Sequence, residues 1–265
     1  MSDKIQADIV VVKIGGSILG SHDTTLQDLV ALQQDGVKLV VVHGGGNIIS
    51  QWMQRQGTVP RFVRGLRVTD AQSLEVVTAV LTGLVNKQLV ASLLGLGGKA
   101  MGLSGVDGGL LEAEVSDQEL GYVGEVSKVD PEVLYQTLEW GYIPFVAPLG
   151  LHPVDGSAYS GSLLNVNGDT AAGELAYALG AGHLIFLTDV EGVMDSSGRV
   201  IHHLDSRNAG IFLRSGVAKG GMIPKLKASL RALERVPGAD IVDGRKPGAL
   251  MECIRATGTG TRITP

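Results

Sequence analysis

Five short stretches of the chain combine residue types that handle anions. In Lys13 to Ser17 a lysine closes a β-branched run, and Gly15 and Gly16 follow it. A cation beside a glycine turn can pair with a transferring phosphoryl group while the turn's amides bind its oxygens, though a solvated lysine at a strand end reads the same way. His43, Gly44, Gly45 and Gly46 precede an apolar helical stretch. Free amides and the positive dipole end make such a helix start an anion site. His43 itself reads as a hydrogen-bonded strand-end residue rather than a base.

In Gly65 to Asp70, Arg67 stands between Leu66 and Val68. A guanidinium held in that way suits a carboxylate, and taken alone it fits a surface ion pair as well. Asn165 to Asp169 holds two amides and a carboxylate within five residues. There Asp169 is either a helix cap or a functional group. Gly220 to Lys225 places a lysine in the first turn of a helix, where a cation is disfavoured unless an anion accompanies it or the side chain snorkels to solvent.

The elements around these stretches alternate. Ile9 to Ile14 and Val37 to Val42 read as buried strands, and Thr24 to Gln34 between them as a helix. Consecutive parallel strands of this kind put both glycine clusters on one carboxyl rim, where open α/β sheets bind ligands. Ile48 to Gln56 and Ala71 to Leu94 read as further helices, with Gly83 a weak point in the second. Lys99 to Lys128 breaks into short extended pieces, expected to form hairpins at a sheet edge as a flap. Asp130 and Pro131 open a helix, and Tyr142 to Ala147 returns to strand. The last hundred or so residues repeat the alternation. Helices are expected over Asp169 to Leu179, near Asp205 to Arg214 and over Pro224 to Val236, with strands at His183 to Thr188 and Ala239 to Asp243.

Composition narrows the chemistry. With 22 Lys plus Arg against 27 Asp plus Glu and no basic run, nucleic acid is not expected as a partner. The single cysteine, Cys253, cannot form an internal disulfide, and no paired metal-ligand spacing is evident. The apolar strand runs are far shorter than a membrane span, and the first residues lack a signal core, so no membrane segment and a cytoplasmic location are expected. The glycine clusters match neither Gly-x-x-x-x-Gly-Lys-Ser/Thr nor Gly-x-Gly-x-x-Gly, which disfavours Walker-type and dinucleotide folds. No Gly-x-Ser-x-Gly elbow accompanies the His-Gly-Gly-Gly run, as an esterase would need.

In this order the motifs resemble the amino-acid kinase family, in its acetylglutamate branch. The resemblance extends through VNKQLV at Val85 to Val90, GLSGVDGGLLEA at Gly102 to Ala113, GYVGEV at Gly121 to Val126 and GYIP at Gly141 to Pro144. It continues through NVNGDTAAGELA at Asn165 to Ala176, TDVEGV at Thr188 to Val193 and GTRI at Gly260 to Ile263. It implies an α/β fold, an open, mainly parallel sheet sandwiched between helix layers. Residues 1–162 would form the acyl-substrate and dimerisation lobe, and residues 163–265 the nucleotide lobe.

The implied reaction is phosphorylation of the side-chain carboxylate of N-acetyl-L-glutamate by ATP. Lys13 and Lys225 would neutralise the transferring phosphoryl group and Asp169 would orient both. Gly16, Gly45 and Gly46 would supply amides, Arg67 would take the α-carboxylate, and Asn165 with Asn167 would fix the acetylated end. The nucleotide would lie against Thr188, Asp189, Val190, Gly192, Val193 and Met194, and against Val217, Ala218, Lys219 and Met222. No carboxylate pair suggests a metal cage, so Mg2+ would ride on the nucleotide phosphates.

Two departures stand out: Asn47 where the family often has proline, and Val106 where it often has lysine. Few residues precede the first strand, whereas arginine-inhibited members carry a longer amino-terminal helix; the expectation is a homodimer insensitive to arginine. A kinase of the same fold for acetylated or carrier-linked 2-aminoadipate is the nearest alternative, since one methylene changes binding by only about 1 to 3 kcal/mol. A noncatalytic amino-acid and nucleotide sensor is a second.

Overall fold

The computed structural model describes residues 9–15 and 24–265. Its centre is an eight-stranded sheet made of β1 (Ile9–Ile14), β2 (Lys38–His43), β5 (Ala100–Ser104), β8 (Ile143–Ala147), β11 (His183–Thr188), β12 (His203–Asp205), β13 (Ala239–Asp243) and β14 (Thr261–Thr264). The order is β12-β14-β13-β11-β1-β2-β8-β5. Pairing is parallel from β5 to β13; β14 pairs antiparallel to β13, and β12 runs parallel to β14, so these last two strands run opposite to the other six.

These strands form because their apolar runs bury both faces, as parallel sheets covered by helices require. In β1 every residue is buried. Alternate side chains feed two separate cores: Val11, Val40, Val42 and Phe186 pack on one side, and Val10, Val12, Val41 and Leu187 on the other. The first core takes helices Glu132–Glu139, Gly168–Leu179 and Met222–Ala232, and the second takes Thr25–Gln34, Gly46–Arg55, Ala71–Gly95 and Ala249–Ile254. The result is the expected helix–sheet–helix sandwich.

Two expectations need correction. The Lys99 to Lys128 stretch is not a flap of hairpins on the sheet edge. Ala100–Ser104 is itself the edge strand, while β6 (Leu111–Val115) and β7 (Val123–Val129) join β9 (Leu149–Leu151) and β10 (Leu163–Val166) in a small closed barrel. Closure leaves no free edge in that barrel. The expected Pro224 helix begins earlier, at Met222, so Pro224 sits in the first turn, where its missing N–H costs nothing.

The 25-residue helix Ala71–Gly95 has the length and hydropathy of a membrane span. Its residues Val76, Val77, Val80, Leu81, Val85, Leu89 and Leu93 are buried in the second core, which is how a core helix reads. The weak point at Gly83 falls inside a π-helical segment, Ala79–Val85, which carries the helix past the glycine into Asn86–Gly95.

A short hairpin, β3 (Phe62–Val63) and β4 (Leu66–Arg67), stands apart from both sheets. It hangs over the carboxyl rim and delivers Arg67 to the glycine turn after β2, as the contacts below show.

Candidate phosphoryl-transfer site

β1 lies between β2 and β11, so the chain leaves the sheet centre in opposite directions on its two sides. A crevice opens at the carboxyl end of such a pair. The Gly15 amide donates to Leu187 O at 3.1 Å and the Gly44 amide to Ile14 O at 3.0 Å, so the turns after β1, β2 and β11 share one rim.

Helix packing completes the centre. A side chain at Gly173 would put its Cβ 2.8 Å from both the Cβ and the carbonyl oxygen of Ala228, so these two helices can cross this closely only at glycine. One turn before that crossing, Asp169 meets Lys225. Lys225 Nζ donates to Asp169 Oδ2 at 3.0 Å, and Lys13 Nζ approaches Oδ1 at 2.8 Å. The second contact is an ion pair, so each carboxylate oxygen of Asp169 faces one ammonium group. All three residues are buried. Burial alone would raise the Asp169 pKa; the two ammonium groups outweigh it and hold the carboxyl below its ordinary value. One carboxylate thus anchors two cations, leaving a net positive charge at the rim. Asp169 does not cap its helix: Asn167 does, its Oδ1 accepting from the Asp169 and Thr170 amides at 2.9 and 3.1 Å.

Beside this centre lies a cavity of about 190 Å³ bounded by Gly45, Gly46, Arg67, Asn165 and Asn167, among others. Arg67 is buried, with its guanidinium 4.8 Å over the Phe62 ring. Nη2 donates to Gly46 O at 2.9 Å and to Ser50 Oγ at 2.8 Å, and Nη1 meets Met53 Sδ at 3.3 Å. Every one of these partners is neutral, and no carboxylate pairs with Arg67 among the described residues. Burial lowers its pKa. A desolvated cation with only neutral partners is matched to an incoming anion. Asn165 Nδ2 donates to Thr69 Oγ1 at 3.1 Å, so that amide is held by the segment that follows the Arg67 strand. Gly16, expected as an amide donor, lies outside the described residues.

The expected nucleotide residues divide. Thr188 ends β11, buried, next to the Gly15 turn. Asp189, Met194, Val217 and Lys219 are exposed, Val190 and Met222 half-buried, and Ala218 buried. Val193 cannot offer its side chain, which is in the core, and its amide donates to Thr261 Oγ1 at 2.8 Å. The same hydroxyl lies 2.7 Å from where a Gly192 Cβ would be, so these two positions brace the rim against β14.

Sequence spacing gave no sign of one further group. His183, Asp240 and Cys253 place their ligand atoms within 4.8 Å of one another. They lie at the amino-terminal end of β11 and β13, away from Lys13, and Arg262 already stands 3.6 Å from Asp240 as a counter-charge.

The profile of the amino acid kinase family matches residues 8–242. An acetylglutamate kinase of Dehalococcoides mccartyi (strain CBDB1) is 43% identical over 256 residues, covering 97% of this chain and 94% of its own. An acetylglutamate kinase of Methanothrix thermoacetophila is 44% identical over 272 residues, covering 97% and 92%. A crystal structure from Streptococcus mutans UA159 superposes with a TM-score of 0.84 at 30% identity, over 97% of this chain and 99% of that one. Sheet order, site and profile agree: the chain belongs to the amino acid kinase family.

Proposed function

We propose that this chain is an acetylglutamate kinase, converting N-acetyl-L-glutamate and ATP to N-acetyl-L-glutamyl 5-phosphate and ADP, the second step of arginine synthesis by the acetylated route. The observation that carries the reading is the buried Lys13–Asp169–Lys225 centre beside a cavity holding Arg67, whose partners are all neutral. Near-full-length relatives of that name at 41 to 44% identity support it.

A carboxylate is already a nucleophile at neutral pH, so the reaction needs no general base. The obstacle is bringing two anions together in line. Arg67 holds the α-carboxylate of the acid, Asn165 and Asn167 its acetylated end, and the Gly45 and Gly46 amides face the reacting oxygens. Lys13 and Lys225 neutralise charge that spreads onto the phosphoryl oxygens, and Asp169 keeps both ammonium groups in register while cancelling only half their charge. Preorganised donors of this kind are worth roughly 3 to 4 kcal/mol each. ATP with its Mg2+ supplies the phosphoryl group. Thr188 to Met194 and Val217 to Met222 border the nucleotide through backbone and exposed side chains, with Val193 contributing structure only.

The same reading assigns residues 1–162 mainly to the acid and residues 163–265 mainly to the nucleotide, in a cytoplasmic homodimer. Sedimentation of the purified protein tests the dimer. The reaction is tested by ADP release with Mg-ATP, comparing N-acetyl-L-glutamate with N-acetyl-L-2-aminoadipate, glutamate and aspartate, and trapping the acyl phosphate with hydroxylamine. Strong preference for acetylglutamate supports the proposal. Turnover with aminoadipate alone moves the substrate by one methylene, and no turnover with any of these acids defeats the acetylglutamate reading and leaves the carrier-linked kinase or the sensor.

A further inference from the structure

The reaction above leaves His43 and the Val85 to Val90 stretch without a role, yet the two meet in the core. His43 is fully buried at the end of β2, just before the glycine turn. Both ring nitrogens are engaged: Nδ1 lies 3.0 Å from Gly44 O, and Nε2 lies 3.0 Å from Asn86 Nδ2. The orientation of the Asn86 amide is set by its other partners. Its Nδ2 also lies 2.8 Å from Phe145 O and 3.2 Å from Leu103 O, while its Oδ1 accepts from Lys87 Nζ at 3.0 Å. An amide nitrogen donates only, so Nε2 accepts, and the neutral ring carries its proton on Nδ1 and donates it to Gly44 O. Burial first, and the Lys87 charge after it, pull the His43 pKa down to about 4 against the opposing Gly44 hydrogen bond, so the ring is neutral at physiological pH.

The consequence lies one peptide further on. Across a trans peptide the C=O and N–H point in opposite directions. A Gly44 carbonyl drawn toward the buried ring therefore turns the Gly45 N–H away from it, on the side of the cavity that Gly44, Gly45 and Gly46 line. Gly45 is buried, and its amide has no acceptor among the described residues. Such a donor is costly unless something arrives to accept from it. We infer that His43, held by Asn86 as the Nδ1–H tautomer, is a positioning residue that aims the Gly45 amide at the reacting oxygens. This rests on the kinase reading for what the amide binds, but not for the tautomer.

Two measurements test it. In the ligand-free protein, long-range 15N correlation of the His43 ring between pH 6 and 8 is expected to show Nδ1 protonated; an Nε2–H ring overturns the inference whatever the enzyme phosphorylates. In kinetics, His43→Gln places its amide near the Nε2 position and leaves Gly44 O unbonded, whereas His43→Asn keeps a donor near Nδ1. His43→Gln is expected to lose about 10- to 100-fold in kcat, less than deletion of an oxyanion donor, with KM for ATP unchanged. His43→Asn is expected to recover most of the loss at equal thermal stability. Equal activity in the two variants, or losses that follow their melting temperatures, overturns the inference. Absence of turnover in the wild type overturns the kinase reading before any variant is compared.

Discussion

Replacing Asp169 by asparagine keeps its shape and removes one charge from between two cations. In the native protein its oxygens lie 2.8 Å from Lys13 Nζ and 3.0 Å from Lys225 Nζ. At an effective dielectric near 20 each contact is worth about 6 kcal/mol of gross attraction, most of which offsets the desolvation of three buried ions. The variant keeps the desolvation of the two lysines and loses the attraction, so the expected net cost is about 3 to 5 kcal/mol. For a chain of this size that corresponds to a melting point lower by roughly 6 to 20 °C. The kinetic effect is separate: two misplaced cations should lower kcat by about 10²- to 10³-fold. Denaturant unfolding and ADP release, run on the same preparation below its melting point, measure both. Stability within about 1 kcal/mol of wild type together with kcat within threefold would refute the reasoning, because the carboxylate would then be organising nothing.

Three other outcomes follow from the same geometry. Arg67→Lys keeps the charge but loses the fork, so kcat/KM for the acid should fall about 10- to 100-fold while KM for ATP holds, and equal loss toward both substrates would place Arg67 elsewhere. In Gly45→Ala the new Cβ would lie 2.7 Å from Leu81 Cδ2. Activity should drop and return in the double variant with Leu81→Ala; no rescue means the glycine is needed for some other reason. His43 has a folded pKa of about 4 against 6.5 for the free ring, so the unfolded chain takes up the proton first. The stability this contributes is fully present above pH 6.5 and is lost by about 3 kcal/mol as pH falls to 4. Denaturant unfolding at pH 7, 5.5 and 4 should show that loss in the wild type relative to His43→Asn. Asp169, whose folded pKa is also lowered, acts in the same direction at lower pH, as pH falls from the free carboxyl value through the folded one.

What the sequence made legible follows from which forces are local. β1, β2, β8, β11 and β13 are short, mostly apolar, almost wholly buried runs, and only a sheet covered on both faces buries them, so these strands could be read directly. The small barrel could not, because β9 and β10 have only three and four residues and their pairing is set by partners far along the chain. β14 could not either: four residues running parallel to β12 and antiparallel to β13 carry no local mark of direction. Lys13, Asp169 and Lys225 were visible as residue types out of place, cations and an acid at glycine turns and helix starts. The choice between Asp169 and Asn167 as cap was not visible, since both can accept from a first-turn amide and lie two residues apart.

The pairing of His43 with Asn86 shows where reading by motif stops. Each sits in a recognisable stretch, and neither stretch mentions the other. Their contact exists because β2 pairs with β8, β8 pairs with β5, and the long helix packs across all three, bringing Phe145 O, Leu103 O and the ring within reach of one amide. An unpaired amide at that depth would cost about 1 to 3 kcal/mol, so neutral acceptors for the two Asn86 N–H groups are a packing requirement before they are a functional one. What turns the requirement toward function is the Gly44 carbonyl on the far side of the ring. The tautomer that accepts from Asn86 at Nε2 is the one that donates from Nδ1 to Gly44 O, so the packing of the core and the glycine turn select the same ring.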